Sequence, residues 1–235
     1  MVLAILQARM SSTRLPGKVM RPILGQPMIA RQVERLRRAT ALSGLIVATS
    51  ADPGDDVIEA WCGANGVDCW RGPLDDVMAR FIGALEAAGT PKTFVRLTAD
   101  CPLADPTLID ACIASHAASG ADYTYNSKGW TWPKGLDVEV CETAALLRAA
   151  RESADSYDHE HVTPYIYHHP ELFTLNALTR DPPLRYRWTV DTPEDFAFVT
   201  RVYAALYPSN PDFDSADILA WQGDHPDQVL ENADS

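Results

Sequence analysis

Between residues 3 and 119, short apolar runs alternate with stretches whose apolar residues recur every three or four positions, and that alternation leaves few folds open. Leu3 to Leu6 reads as a buried strand, and Ile29, Val33 and Leu36 mark a helix that ends near Leu42 and Gly44. Gly44 to Thr49 is a second strand, Asp55 to Asn65 a helix stopped by Gly66, and Val67 to Trp70 a third strand. Val77, Phe81 and Leu85 give a third helix, Thr93 to Thr98 a fourth strand, and Pro106 to Ser119 a fourth helix with Asp105 as its cap. Strands that alternate with helices build a mostly parallel sheet with helices on both faces. Ligands of such sheets bind at the carboxyl ends of the strands, so the loops after Leu6, Thr49 and Thr98 should converge.

The first of those loops is Gln7-Ala8-Arg9-Met10-Ser11-Ser12-Thr13-Arg14-Leu15-Pro16-Gly17-Lys18. Small and hydroxylated residues offer donors, and Arg9, Arg14 and Lys18 add positive charge, which together suit a polyanionic ligand. Neither GxxxxGK[ST] nor GxGxxG is present, which argues against a P-loop NTPase and a dinucleotide binder. Read blandly, the same residues are a strand–turn–helix with a solvated basic face. Charge distribution favours the ligand: the first forty residues carry a net +7 and the remainder −19, giving −12 overall. An acidic chain with one basic end is poorly suited to coating nucleic acid and well suited to focusing a small phosphate compound. Arg35, Arg37 and Arg38 read as the polar face of the first helix.

No stretch reaches the roughly 18 apolar residues of a membrane span, and no leader pattern opens the chain, so a cytoplasmic protein without membrane contact is expected. Five cysteines without a CxxC spacing suggest buried thiols rather than disulfides or zinc. The 235 residues fit one domain over 1–222, with a half at 1–120 that holds the basic loop, a lobe at 121–185 covering the sheet edge, and a closing strand and helices at 186–222; a polar tail at 223–235 is expected to fray.

Three further acids stand out. Asp100 follows the fourth strand and faces the basic loop, where a magnesium ion would bridge protein and nucleotide; alternatively it opens an Asx-turn before Pro102. Pro133 to Val140 alternates like a half-buried strand, placing Asp137 and Glu139 on one face, either solvent or ligand. Asp191 ends a short strand, and because Thr192 already caps the next helix with Asp195 three positions on, Asp191 is a spare carboxylate. His159, His161, His168 and His169 lack the HExxH spacing of a zinc site and read as hydrogen-bonded lobe residues. Read from the residues alone, Asp75 caps the third helix and Arg80 is a solvated residue on it.

The run QARMSSTRLPGK resembles the nucleotide-binding signature of cytidylyltransferases that make CMP-activated sugars, most closely the spore-coat polysaccharide branch related to the acylneuraminate and 3-deoxy-manno-octulosonate enzymes. Four more blocks follow in the family's order: the R-x-T-x-D-C-P-L run through Asp100, P-x-G-x-D-V-E through Asp137 and Glu139, His159-Glu160-His161-Val162-Thr163-Pro164-Tyr165-Ile166, and W-T-V-D-T-P-E-D through Asp191; the run Gly72 to Phe81, which holds Asp75 and Arg80, is family-like as well. His159 stands where the family has arginine.

The resemblance implies a nucleotide-diphospho-sugar transferase-like (Rossmann-like) α/β fold with a small α+β lobe, and a magnesium-dependent transfer of CMP from CTP to a sugar acid with release of pyrophosphate. It implies catalysis by Arg14, Lys18, Asp100 and Asp191, with Asp100 and Asp191 on the metal. Leu6, Gln7, Ala8, Arg9, Ser12, Arg14, Lys18, Asp75, Arg80 and Asp100 would bind the nucleotide; Asp137, Glu139, Glu160, His161, Arg187 and Asp191 would bind the acceptor. It also implies a homodimer through the 121–185 lobe. A sugar acid should meet a cation, for which Lys128, Lys134, Arg185 and Arg187 are available. Another NTP, a non-sugar-acid acceptor, or a non-catalytic nucleotide-binding protein on the same fold are the alternatives.

Overall fold

The computed structural model describes residues 2–127, 129 and 131–230; Lys128, named above among the available cations, lies outside the described residues. Seven strands form one sheet in the order β5-β4-β1-β6-β8-β7-β9. Strands β1 (Val2–Gln7), β4 (Gly44–Ser50), β5 (Asp68–Gly72) and β6 (Thr93–Thr98) run parallel, joined by the crossover helices α1 (Met28–Leu36), α2 (Asp56–Ala64) and α3 (Val77–Ala87). A minor hairpin of β2 (Pro22–Ile23) and β3 (Gln26–Pro27) precedes α1. The alternation of side chains along β1 explains why both faces are covered. Ala4 and Leu6 enter one core with α1, α2, α4 (Pro106–Ser119), α8 (Pro193–Leu206) and α9 (Ser215–Asp224). Leu3 and Ile5 enter a second core with α3 and α5 (Thr143–Glu152).

Several expected boundaries shift. The first helix stops at Leu36 rather than near Leu42, and Arg35 is not part of a solvated face. It is 2% exposed, its Nε donates to Ala104 O at 2.6 Å, and its guanidinium lies 4.4 Å from the centre of the Phe213 ring, contacts made by distant residues that no helical pattern announces. Asp76, not Asp75, caps α3, accepting from Ala79 N at 2.8 Å, while Asp75 is exposed.

The lobe extends the main sheet instead of covering its edge. Strands β8 (Glu139–Glu142) and β7 (Tyr123–Tyr125) add antiparallel beyond β6, and β9 (Leu175–Ala177) adds parallel to β7. The expected strand through Pro133 is confined to β8, because residues 133–137 turn sharply at Gly135. There φ is +106°, and a Cβ would lie 2.5 Å from Thr189 N, so only glycine lets this loop meet the 187–190 segment. That segment is not a strand either: it makes an isolated bridge, Lys134 to Arg187, in which Lys134 N donates to Tyr186 O and Trp188 N to Lys134 O. The start of the tail is packed, since α9 runs through Asp224 and Leu230 O accepts from Arg187 N at 2.8 Å. Among the described residues no helix is long and apolar enough to cross a membrane.

Candidate active site

The loop after β1 is shaped by one carbonyl and one carboxylate. Met10 O accepts from Ser12 N and Gly17 N, both at 2.9 Å, closing the turn, and Gly17 adopts φ +70° to lead into the 3-10 turn Lys18–Met20. Asp55, at the mouth of α2, ties this loop to the end of β4: one oxygen accepts from Met10 N at 2.7 Å, the other from Ser50 N and Ser50 Oγ. The sequence reading gave Asp55 only as the start of a helix. Its partners lie 5 and 45 residues away, so local pattern carried no signal of the staple.

Those constraints leave a cleft lined by Gln7, Ala8, Arg9, Ser12, Arg14, Lys18, Thr98, Asp100 and Asp191, among others. Leu6 lies behind the cleft in the core. Neighbouring β-strand ends are registered by Ala8 N to Ala48 O and Ala99 N to Gln7 O. Gln32 of α1 donates to Thr98 O at 2.9 Å and fixes the end of β6.

Lys18 and the acids expected from the sequence meet in this cleft although they lie 82 and 173 residues from it in the chain. Lys18 Nζ is 2.6 Å from Val190 O, 3.1 Å from Asp191 Oδ1 and 3.4 Å from Asp100 Oδ2. Asp191 Oδ2 also meets Arg14 Nη2 at 3.0 Å and Arg187 Nη2 at 2.9 Å. Burial by itself would raise the Asp191 carboxyl, but Lys18, Arg14 and Arg187 outweigh it and hold it below the ordinary carboxylate range. The acids are positioned from behind: Val190 N and Thr189 Oγ1 donate to Asp100 O, and the buried Trp188 anchors the segment through Nε1 to Gln222 Oε1.

Asp195 does more than cap α8. Its side chain accepts from Asp191 N and Thr192 N and pairs with Arg187 through both oxygens, so it holds the bracket that presents Asp191. Here too burial would raise the carboxyl, and Arg187 with those two amides takes it below its ordinary value. Arg187, expected to bind the acceptor, is thus committed to Asp191 and Asp195.

A second cavity, of about 570 Å³, opens beside Asp100 and Asp191, lined further by Arg96, Ser127, Lys134, Asp137, Glu139, Tyr157, His161 and Thr189. Tyr123, Tyr125 and Tyr167 continue its far wall. Asp137 and Glu139 do face one space, as their spacing suggested. Glu139 is engaged on both oxygens, by Arg96 and by Thr163 Oγ1. Asp137 accepts from Gly135 N at 2.8 Å, yet burial, with Asp100 and Glu139 nearby, pushes its carboxyl up to about 6 against the pull of that amide and Lys134. Burial likewise raises the Cys101 thiol, which stays neutral and is no nucleophile. Glu160 is exposed on α6 (Ser156–His161) and lines neither cavity, and Arg185 is also exposed. His159, where the resemblance had arginine, is held between Asp76 and Ser153 O. The tyrosines, Arg96 and Thr189 were missed: Arg96 alternates inside a core strand, and the tyrosines come from separate elements.

Arg80 is not solvated. It is fully buried against Gly72 and Pro73, donating to Pro73 O, with Nε and Nη2 unpartnered; burial, with Arg9 adding, lowers its guanidinium to about 10. Asp75 is brought to neither cavity.

The carboxylates of Asp100 and Asp191 converge on one ammonium and are hard oxygen donors, which fits a magnesium-like ion. Among the described residues no group of three or more His, Cys, Asp or Glu is assembled to hold a metal, so nucleotide oxygens and water would complete its shell.

A family model described as "Cytidylyltransferase" matches residues 3–226. The chain is 36% identical to the spore coat polysaccharide biosynthesis protein SpsF of Bacillus subtilis (strain 168), over 98% of this chain and 97% of that protein. It is 35% identical to a 3-deoxy-manno-octulosonate cytidylyltransferase of Anaeromyxobacter dehalogenans over 49% of this chain and 47% of that one. Among solved structures, a cytidylyltransferase from Leptospira borgpetersenii serovar Hardjo-bovis superposes with a TM-score of 0.92 at 27% identity, covering 97% of this chain and 96% of that chain. The fold is thus the nucleotide-diphospho-sugar transferase-like one expected, and the chain belongs to the cytidylyltransferase family of nucleotidyl-transferring enzymes.

Proposed function

We propose that this enzyme transfers CMP from CTP to the hydroxyl of a nonulosonic or ulosonic sugar acid, with magnesium, for the synthesis of a surface polysaccharide or glycan. The observation that carries the reading is the meeting of Lys18, Asp100 and Asp191 at the carboxyl ends of β1 and β6. A phosphoryl transfer of this kind needs positioning and charge neutralisation more than covalent chemistry. Gln7, Ala8 and Arg9 line the base and ribose side, where the buried Arg80 sits close enough for its charge to act on Arg9. Ser12, Arg14 and Lys18 face the β- and γ-phosphates and the departing pyrophosphate. Held by Asp100 and Asp191, magnesium would supply neutralisation of the charge that develops on the α-phosphate oxygens.

The acceptor occupies the adjoining cavity, whose size suits a monosaccharide acid. Its hydroxyl oxygen bonds to the α-phosphorus as the bond from that phosphorus to the bridging oxygen breaks, and pyrophosphate leaves. Asp137, raised to about 6, faces the same cavity and takes the hydroxyl proton. Tyr157 and His161 offer an aromatic wall for the sugar. One feature favours a second reading, a non-acidic acceptor: Arg96 is paired with Glu139 and Lys134 lies within the field of Asp137, so the cavity carries no excess of cations. A homodimer through the 121–185 lobe belongs to the proposal, and a monomeric mass by light scattering at assay concentration removes it.

Pyrophosphate release from CTP, UTP, GTP and ATP, with magnesium and a panel of nonulosonic, 3-deoxy-octulosonic and neutral sugars, tests the assignment. Release that requires both CTP and one sugar acid is expected. Release with a neutral sugar selects the second reading, and release from another NTP overturns the cytidine assignment.

A further inference from the structure

Lys18 is bound on every side. An ammonium has three N–H donors, and Lys18 Nζ lies within 3.4 Å of three oxygens: Val190 O, Asp191 Oδ1 and Asp100 Oδ2. The residue is 8% exposed, and the 3-10 turn that follows Gly17 fixes its backbone. Val190 O is itself set in place, because Val190 N donates to Asp100 O at 2.8 Å. Arg14 differs: its pair with Asp191 rides on a side chain 63% exposed, free to turn to another anion. So the two carboxylates assigned to the metal share a buried positive charge at the point on which they converge. A second cation brought to the same oxygens would meet that charge at close range, in a partly desolvated site where repulsion is weakly screened.

We propose that Lys18 is a resident counter-cation: its ammonium keeps the Asp100–Asp191 pair closed to a free divalent ion, and leaves it for the nucleotide phosphates, so that metal and nucleotide enter together. This rests on the proposed function, in that Asp100 and Asp191 are the metal ligands. Only the four-methylene arm has to move, since the backbone on either side of Nζ is fixed by the turn. Coupling is then reciprocal: phosphates that draw the ammonium away raise metal affinity, and the metal that repels it raises phosphate affinity by the same factor. The arrangement protects the enzyme from holding a metal without a nucleotide.

The test is manganese binding to the full chain without nucleotide, followed by water-proton relaxation, for wild type, Lys18→Gln and Lys18→Arg. Lys18→Gln removes the charge and should bind manganese at least about tenfold more tightly than wild type, a difference of 1.4 kcal/mol. Lys18→Arg keeps the charge and should stay within about threefold of wild type. Adding Asp100→Asn to Lys18→Gln should abolish the gain, placing it at this site. Equal manganese affinity in wild type and Lys18→Gln overturns the proposal, as does an equal gain in Lys18→Arg. Should Lys18→Gln fail to fold in metal-free buffer, manganese is expected to restore a cooperative melt, and failure to restore it counts against the proposal. Pyrophosphate release by wild type is read separately from these affinities: wild-type turnover with equal affinities sinks only this inference, and tighter binding by Lys18→Gln with no CTP turnover by wild type sinks only the functional reading.

Discussion

Asp191 and Asp137 line the same cavity, and the protein treats them in opposite ways. Asp191 is surrounded by Lys18, Arg14 and Arg187, which hold its carboxyl below the ordinary carboxylate range. Asp137 has one amide donor and only the field of Lys134 to offset burial and two acidic neighbours, so its carboxyl is raised to about 6. Asp137 is the more deeply desolvated of the two and faces acids, whereas Asp191 is less desolvated and faces cations, so burial and neighbouring charge both push the pair apart. A carboxylate kept charged is suited to holding cations; one poised near neutrality is suited to moving a proton.

The largest effect expected from breaking this contrast is at the ionised end. Asp191→Asn leaves Lys18, Arg14 and Arg187 facing a neutral amide, and CTP turnover should fall by about 10²–10³-fold with a weakened metal requirement curve. An unchanged metal titration in that variant would remove Asp191 from the metal site. Next is Asp137→Asn, where activity and stability should part. Turnover should fall by about 10²-fold or more, while the protein gains stability above pH 6. The sign follows from the raised pKa: protonation of Asp137 favours the folded state, so its contribution is full below about pH 4 and is lost as pH rises through about 6. An amide has no such loss, so the melting temperature of the variant relative to wild type should climb between pH 4 and pH 7. A constant offset across that range would show that Asp137 does not titrate there.

The smallest effect concerns His159 on the lobe. Asp76 raises its imidazole, so any stabilisation is present below about pH 6.5 and fades as pH rises through the higher folded value. The contact is at the rim, so His159→Gln should change stability by no more than about 0.5 kcal/mol. Denaturant titrations at pH 5.5 and pH 8 check both the size and the direction.

What could be read from the sequence divides along the same line as local and distant contacts. Strand β6 and helix α4 fall where the periodicity put them, because a core strand and a capped helix announce themselves within about ten residues. The capping box of Thr192 and Asp195 was legible for the same reason, and it isolated Asp191 as a carboxylate with no helical duty. That the loop holding Lys18 faces Asp100 followed from the rule that parallel strands gather ligands at their carboxyl ends; the arrival of Asp191 beside them followed from the resemblance, since residues 187–190 form no strand of the sheet. The detail followed from neither: that Lys18 is clamped by Val190 O depends on a contact 172 residues long. Arg35, Arg80 and Arg187 looked like surface or ligand-facing charges. Arg35 is buried against Phe213, which lies 178 residues away, whereas Arg80 and Arg187 meet Pro73 and Asp195 only seven and eight residues off, pairings made by turns that no helix or strand period announces.

The clamp also has a timetable. Lys18 leaves the ribosome early, Asp100 later, Asp191 later still, and Arg187 is tied to Leu230 near the end of the chain. At about 5–20 residues per second, the interval from Lys18 to Asp191 is on the order of ten to thirty seconds. Over it the net charge of the growing polypeptide falls from +7 at residue 40 to −3 at residue 190, while the carboxylate that Arg14, Lys18 and Arg187 share has yet to be translated. A message cut short before codon 191 would therefore yield a product whose basic loop lacks the carboxylate that Arg14 and Lys18 meet, and which also lacks α8 and α9, the helices that cover one face of the sheet.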